Sequence, residues 1–390
     1  MILSLGLIII LGLSLNAIMV KIKVPSLIAY IITGVILGPF VLDLIHPDLL
    51  NISGDLRKIA LIVILLRAGL TLDIKDLKIV GKGAILLSFL PATFEILAIA
   101  FLSQVFFEIS LIEGFILGSI VAAVSPAVVV PRMIALIEKK RGTDKSIPQM
   151  VLAASSIDDI YAIVLFTLFV QIYETNVIDL TSILLFPVSI ILGVIAGILV
   201  GIVLVKMFKR FHMRDTVKVL IIFGLAFIFD YIETLLKDIV PFASLLAVIT
   251  LGLTILKLYP VLAERLTSKF SKIWVFSEMI LFVLIGALVN ILIIADVGLN
   301  FVIILVLAVF VRLIAVLIST TSINLNYKER LFVFFSYLPK ATVQAAIGAV
   351  PLSLGMPAGE IILGISVLSI FLTAPLGAIL IDQTQERLLN

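Results

Sequence analysis

The stretch SPAVVVP, residues 125–131, sets two prolines, Pro126 and Pro131, inside an apolar run long enough to cross a bilayer. A second run, PKATVQAAIGAVP at residues 339–351, carries Pro339, Gly348 and Pro351 in the same manner. Proline removes a helix donor and clashes with the preceding turn, so both runs are expected to kink or unwind, freeing carbonyls and helix ends at membrane depth. What surrounds these interruptions decides how they are read.

The rest of the chain supplies the bilayer. Of its 390 residues 62% are hydrophobic and 14% charged, against roughly 45–50% and about 25% in an ordinary soluble domain. Apolar runs recur at about 20 residues, the length that carries a helix across a hydrocarbon core; barrel strands would instead alternate over about 10 residues. The expectation is an all-α integral membrane protein with about thirteen spans, near 2–20, 25–44, 57–73, 81–107, 112–137, 148–173, 181–205, 216–236, 241–259, 273–294, 300–320, 329–354 and 358–381. The first has no basic residue ahead of it and no small-residue cleavage site, and Lys21 and Lys23 follow it, so it reads as a retained helix and not a signal peptide. Nothing remains for a soluble domain. With no cysteine, disulfides and thiol chemistry are excluded, and His46 and His212 both fall in connecting loops, which argues against a histidine metal site.

Lysine and arginine give the orientation. Loops after odd-numbered spans, together with the C-terminal tail, hold 21 of them; loops after even-numbered spans hold only Arg57, Lys58 and Lys237. The bias places the N-terminus outside and the C-terminus in the cytoplasm, and it fits an odd number of spans. The exposed basic loops, 206–218 above all, leave room for affinity to anionic lipid.

Four basic residues lie within or at the edge of spans: Arg67, Arg132, Arg312 and Lys340. Arg312 and Lys340 fall near the midplane, where the sequence also puts Glu95 and, in AASSIDDIYAIV at residues 153–164, the adjacent pair Asp158 and Asp159. An ionised group at a helix centre costs about 2.5–3.5 kcal/mol on the mildest scale, so these five are expected to pair or to line water. Three carboxylates against two cations leave one negative charge, which one monovalent cation or one proton would neutralise. Arg67 and Arg132 read as side chains snorkelling to an interface, and Asp230 and Glu278 as solvated end residues or vestibule charges.

Both interrupted spans come fifth in a set of six if spans 1–6 and 8–13 are two repeats of opposite orientation joined by span 7. Broken helices at equivalent places of two halves point to a transporter's binding site.

Together SSIDD (155–159), SPAVVVP, LLRAGLTLD (65–73) and PKATVQAAIG (339–348) resemble the monovalent cation:proton antiporter superfamily, most of all its NHA branch of sodium/proton antiporters. The resemblance covers the whole chain. It implies exchange of Na+ or Li+ for H+ without a cofactor, in a homodimer whose core domain moves against a fixed dimer domain as an elevator. It divides the chain into a dimer domain (1–80 and 211–298), an ion-binding core (81–175 and 299–390) and a linker helix (176–210). The setting it implies is the cell membrane of a prokaryote.

By the same resemblance Asp159 binds cation and proton in turn, beside Asp158. Lys340 compensates charge and is assigned to Asp158, while Glu95 and Arg312 form a structural ion pair. Hard cations prefer oxygen ligands, and Asp159, Asp158, Ser155, Ser125 and freed carbonyls of span 5 are the candidates, with Asp158 and Asp159 holding the Na+ or Li+. The serines have an ordinary alternative, a hydrogen bond to a carbonyl one turn back.

An intramembrane aspartyl protease would need two acids on different helices, whereas neighbours on one helix point about 100° apart. An enzyme is not expected. A sodium-coupled organic solute symporter of related inverted-repeat fold is the alternative; against it, the midplane offers mainly carboxylates, Lys340, Gln344 and Thr342. No nucleic-acid partner is indicated.

Overall fold

The computed structural model describes residues 1–22, 24–71, 82–175, 180–236 and 242–389, and at 82, 84, 156, 175, 180–187 and 293–297 the backbone alone. Lys23, Lys75, Lys78 and Lys237 of the charge count, and residues 72–73 of LLRAGLTLD, lie outside the described residues.

Among the described residues every regular element is a helix: α1 Ile2–Lys21, α2 Ser26–Leu37, α3 Pro47–Asn51, α4 Ser53–Thr71, α5 Lys82–Phe107, α6 Leu111–Ala122, α7 Pro126–Glu138, α8 Ile147–Thr175, α9 Leu180–Arg210, α10 Asp215–Leu236, α11 Ser244–Leu258, α12 Pro260–Ala287, α13 Ile291–Ser319, α14 Tyr327–Ser336, α15 Thr342–Ile347, α16 Val350–Ser353 and α17 Gly359–Leu388. Among the described residues nine helical segments are long and apolar enough to cross a membrane, Leu111–Glu138 counting as one despite the break within it. The protein is thus an all-helical, multi-pass membrane protein. At the four other expected spans lie shorter or less apolar elements: α2, α4, α11 and the run from α14 to α16.

Two compact units divide the chain. One comprises Met1–Arg57, Ile74–Glu174 and Met279–Asn390; the other comprises Lys58–Asp73 and Thr175–Glu278. In the first, α6 lies along α5 because Gly114 and Gly118, one turn apart, bring its backbone against Ala100 and Ile96, where an added Cβ would stand 2.7–2.8 Å from their carbonyl oxygens. Small residues of this kind let helices approach where lipid gives no hydrophobic drive for association. The same device joins α2 to the end of α12: a Cβ at Gly34 would fall 2.0 Å from the Val283 carbonyl, and one at Gly286 2.3 Å from that of Ile31. In the second unit Gly193, Gly197 and Gly201 of α9 face Ala243, Ala247 and Thr254 along α11. There Lys58 pairs with Asp230 at 2.6 Å, and the Ser244 hydroxyl donates to Glu233.

Both proline-bearing runs are interrupted helices. Helix α6 ends at Ala122 and α7 begins at Pro126, with Ala123 and Ser125 extended between them. Pro126 is the first residue of α7, a position where the missing N–H costs nothing. Pro131 lies inside α7 without ending it, so the break precedes both prolines and does not fall between them. The second interruption runs from Tyr337 to Ala341, and Gly348 and Ala349 separate α15 from α16.

Each interrupted helix starts with a capping box. Ser110 and Glu113 exchange hydrogen bonds at the start of α6, and Asn326 and Glu329 do so at the start of α14. Each glutamate also reaches the start of another helix. Glu113 accepts the backbone N–H of Ala358, the N-cap of α17, at 3.1 Å, and Glu329 accepts the Lys145 ammonium just before α8 at 2.8 Å.

Candidate ion-binding site

The two breaks meet. The backbone N–H of Ser125 donates to the Pro339 carbonyl at 2.8 Å, and Gly377 on α17 leaves room for the Pro339 ring, which would stand 2.4 Å from a Cβ there. Each break leaves the last carbonyls of one half-helix without intrahelical partners, and donors from elsewhere in the same unit take those of α6. Gln344 Nε2 donates to the carbonyls of Ile120 at 2.8 Å, Ala123 at 3.0 Å and Val121 at 3.3 Å. The Ala122 carbonyl accepts Arg312 Nη1 at 2.7 Å and Lys340 Nζ at 3.4 Å. Cations and an amide thus sit where the negative end of the half-helix dipole falls.

Glu95, on α5 opposite this end, accepts from Arg312 and from Lys340 Nζ, the latter at 3.0 Å. All three side chains are fully buried. Lys340 is therefore held by Glu95 and not by Asp158. The charge count had given each cation its own acid, whereas one carboxylate has two oxygens and about four lone-pair sites and can serve two cations.

Asp158 faces the break instead. Its Oδ2 accepts the backbone N–H of Val124 at 3.0 Å and lies 3.7 Å from Arg312 Nη2. Its Oδ1 has no hydrogen-bond partner among the described residues. Asp159, one residue on, is 9% exposed; its Oδ1 is likewise unpartnered, and among the described residues no ion pair reaches it. Of the five charges, four are linked and Asp159 stands apart.

Ser155 is buried and its hydroxyl donates to the Leu152 carbonyl at 3.2 Å, the ordinary back-bond of a helical serine. Ser125 is 1% exposed, and its Oγ caps nothing and has no partner among the described residues. The freed carbonyls of span 5 expected to serve an ion, those of Ile120 to Ala123, accept hydrogen bonds from Gln344, Arg312 and Lys340. The side chain of Ser156 lies outside the described residues.

Several groups here carried no assigned role. Tyr337 stacks beneath the Arg312 guanidinium at 5.6 Å, fully buried, and Thr373 Oγ1 accepts the Lys340 backbone N–H at 3.0 Å. The sequence offers Gln344 and Thr342 only as solute-recognition groups; two polar residues separated by Val343 within a proline-bounded membrane run are the available signal. Arg132, read as snorkelling, makes a two-point pair with Asp382, both contacts at 3.0 Å. Arg67 and Glu278, in the second unit, interact electrostatically.

The chain is a multi-pass helical membrane protein whose two interrupted helices touch beside five buried charges. The family model described as "Sodium/hydrogen exchanger, transmembrane" matches residues 6–384, and the chain belongs to that family, within the monovalent cation:proton antiporters. It is 34% identical over 358 residues to sodium/hydrogen exchanger 9B2 of Mus musculus, a match covering 87% of this chain and 63% of that protein. With sodium/hydrogen exchanger 9B1 of Homo sapiens it shares 30% over 381 residues, 94% of this chain and 73% of the relative. It thus spans under two thirds of the length of the 9B2 relatives. Among solved structures, the sodium proton antiporter MjNhaP1 from Methanocaldococcus jannaschii superposes with a TM-score of 0.84, covering 98% of this chain and 97% of that one at 21% identity. At that identity the likeness is one of fold.

Proposed function

We propose that the protein is a secondary antiporter that exchanges Na+ or Li+ for H+ at Asp159. The observation that carries the reading is the buried, unpaired carboxylate of Asp159 beside a network in which Glu95 and Asp158 already face Arg312 and Lys340. An ionised Asp159 in that setting needs one positive charge, and a proton or a small cation supplies it, but not both together. Competition for one carboxylate makes exchange obligatory: the ion that enters displaces the one that left. Asp158, Ser125 and, less directly given its back-bond, Ser155 complete an oxygen-rich surround for the cation. Glu95 with Arg312 and Lys340 compensates the negative helix end without taking part in the exchange.

Several finer features belong to the same proposal. The matched capping boxes, each glutamate gripping the start of a helix that follows the other break, support two inverted six-span repeats. On that basis 81–175 and 299–390 move as an ion-carrying core against 1–80 and 211–298, with 176–210 as linker, in a homodimer working as an elevator. The basic bias supports an N-terminus outside and a C-terminus in the cytoplasm, and the setting proposed with it is the cell membrane of a prokaryote.

The test is reconstitution into proteoliposomes with an acidic lumen. External Na+ or Li+ should discharge the pH gradient with no organic solute present; no response to either ion between pH 6 and 9 would overturn the reading.

A further inference from the structure

We infer that Gln344 is a ligand of the transported cation through its amide oxygen, and that it tunes cation affinity independently of proton affinity. The inference rests on the antiport reading above and extends its site to the second interrupted helix.

The amide's orientation is fixed by what it faces. Three carbonyls, those of Ile120, Val121 and Ala123, lie 2.8–3.3 Å from one end of the side chain. Only an NH2 group can face three acceptors, so that end is Nε2, and Oε1 is turned away from the carbonyl fan. Gln344 is 0% exposed, and Oε1 has no hydrogen-bond partner among the described residues. A buried acceptor left unpaired is costly. Capping the end of α6 requires donors alone, which a lysine or arginine would give, as Lys340 and Arg312 do at Ala122. The oxygen is superfluous for the cap.

Three consecutive residues tie these side chains to one break. Gln344 is bonded to the Ala123 carbonyl, Asp158 to the Val124 N–H, and the third residue, Ser125, bears its own unpartnered hydroxyl. Successive Cα atoms are about 3.8 Å apart, so the anchor points of Gln344 and Asp158 and the Ser125 side chain all belong to one short stretch of chain. Asp158 Oδ1, Asp159 Oδ1, Ser125 Oγ and Gln344 Oε1 are all buried and unpartnered among the described residues. The carbonyls from Ile120 to Ala123 already accept from side chains, whereas Gln344 Oε1 is a neutral oxygen with no partner among the described residues. As an amide it binds no proton. A ligand of this kind weights the competition at Asp159 toward the cation without altering the proton's side of it.

The experiment measures Na+ and Li+ dependence of proton flux in proteoliposomes, its pH profile at saturating Na+, and cation-induced thermal stabilisation, for the native chain and Gln344→Met. Loss of one ligand to a charged ion should raise the Na+ KM about tenfold or more, with kcat retained, the pH profile at saturation unmoved, the Na+/Li+ preference altered and the cation-induced stabilisation reduced. A role confined to capping would lower the melting temperature without cation and leave KM and preference as in the native chain, and that result overturns the inference. Should Gln344→Met fail to fold, Gln344→Asn keeps an amide but draws its oxygen back by about 1.5 Å; its KM should rise, and an unchanged KM is equally fatal. If the native chain itself ignores Na+ and Li+, the antiport reading falls and this one with it; if the native chain responds and the variants match it, only this one falls.

Discussion

Replacing Glu95 by glutamine removes the one carboxylate that holds two buried cations. Breaking a buried ion pair from one side typically costs about 3–5 kcal/mol, because a charge is left without its partner. Glu95→Gln leaves Lys340 without a carboxylate and Arg312 with only the longer pair to Asp158 at 3.7 Å, the Ala122 carbonyl being shared between the two cations at 2.7 and 3.4 Å. The loss should therefore reach the top of that range, about 5 kcal/mol. Arg312→Gln removes one cation only; Glu95 keeps Lys340 at 3.0 Å and Asp158 keeps the Val124 N–H, so about 3 kcal/mol is expected. Lys340→Gln should be the mildest, since Arg312 remains on Glu95. In the double variant Glu95→Gln/Arg312→Gln only Lys340 is orphaned, and the combined loss should fall short of the sum by about 1–3 kcal/mol. Thermal and denaturant unfolding of the four proteins and the native chain complete the cycle. Equal losses for Glu95→Gln and Arg312→Gln, or strict additivity in the double variant, would refute a carboxylate shared by two cations.

On the proposed competition of proton and cation for Asp159, apparent Na+ affinity should weaken steadily as pH falls, which stopped-flow flux at several pH values measures; an affinity flat with pH would place the two ions on separate groups. Gly34→Leu, whose Cβ would lie 2.0 Å from the Val283 carbonyl, should cost about 3 kcal/mol in an unfolding assay, whereas Gly6→Leu, with nothing within 4 Å of its Cβ, should be nearly neutral. Arg132→Gln breaks a two-point pair with Asp382, but Asp382 is 51% exposed, so the loss should stay below about 1 kcal/mol; a loss of several kcal/mol would mean the pair is shielded from water.

What the residues disclosed on their own follows from how each signal is encoded. The two interruptions were legible because proline acts locally, though the break before Pro126 lies upstream of where two mid-span prolines pointed, since a proline at the first helical position fits and the extended Ala123–Ser125 does the interrupting. The burial of Glu95, Asp158, Asp159, Arg312 and Lys340 was readable because helix rise converts residue count into distance from the ends of a span. Their pairing was not. Counting charges fixes how many are left over, while the choice of Glu95 over Asp158 for Lys340 depends on where α6 stops and which carbonyl it exposes. Gln344 has no place in the ion site on sequence grounds for a related reason: an amide among alanines gains its meaning only from the three carbonyls it faces, more than 200 residues away in sequence. Glu113 and Glu329 could have been found as the acids of capping boxes, three residues after Ser110 and Asn326, but their second contacts, to Ala358 and Lys145, are tertiary.

The central claim is that Asp159 alone carries the exchangeable charge, and the most direct measurement compares Na+-driven proton flux and Na+-induced thermal stabilisation for Asp159→Asn and Asp158→Asn in the same proteoliposome and detergent preparations. Asp159→Asn should abolish both signals while leaving the Glu95–Arg312–Lys340 network and the cation-free melting temperature close to native. Asp158→Asn, which gives up the Val124 N–H bond and the contact with Arg312, should melt lower yet retain some exchange. Exchange that persists in Asp159→Asn, together with its loss in Asp158→Asn, would contradict the account and make Asp158 the carrier.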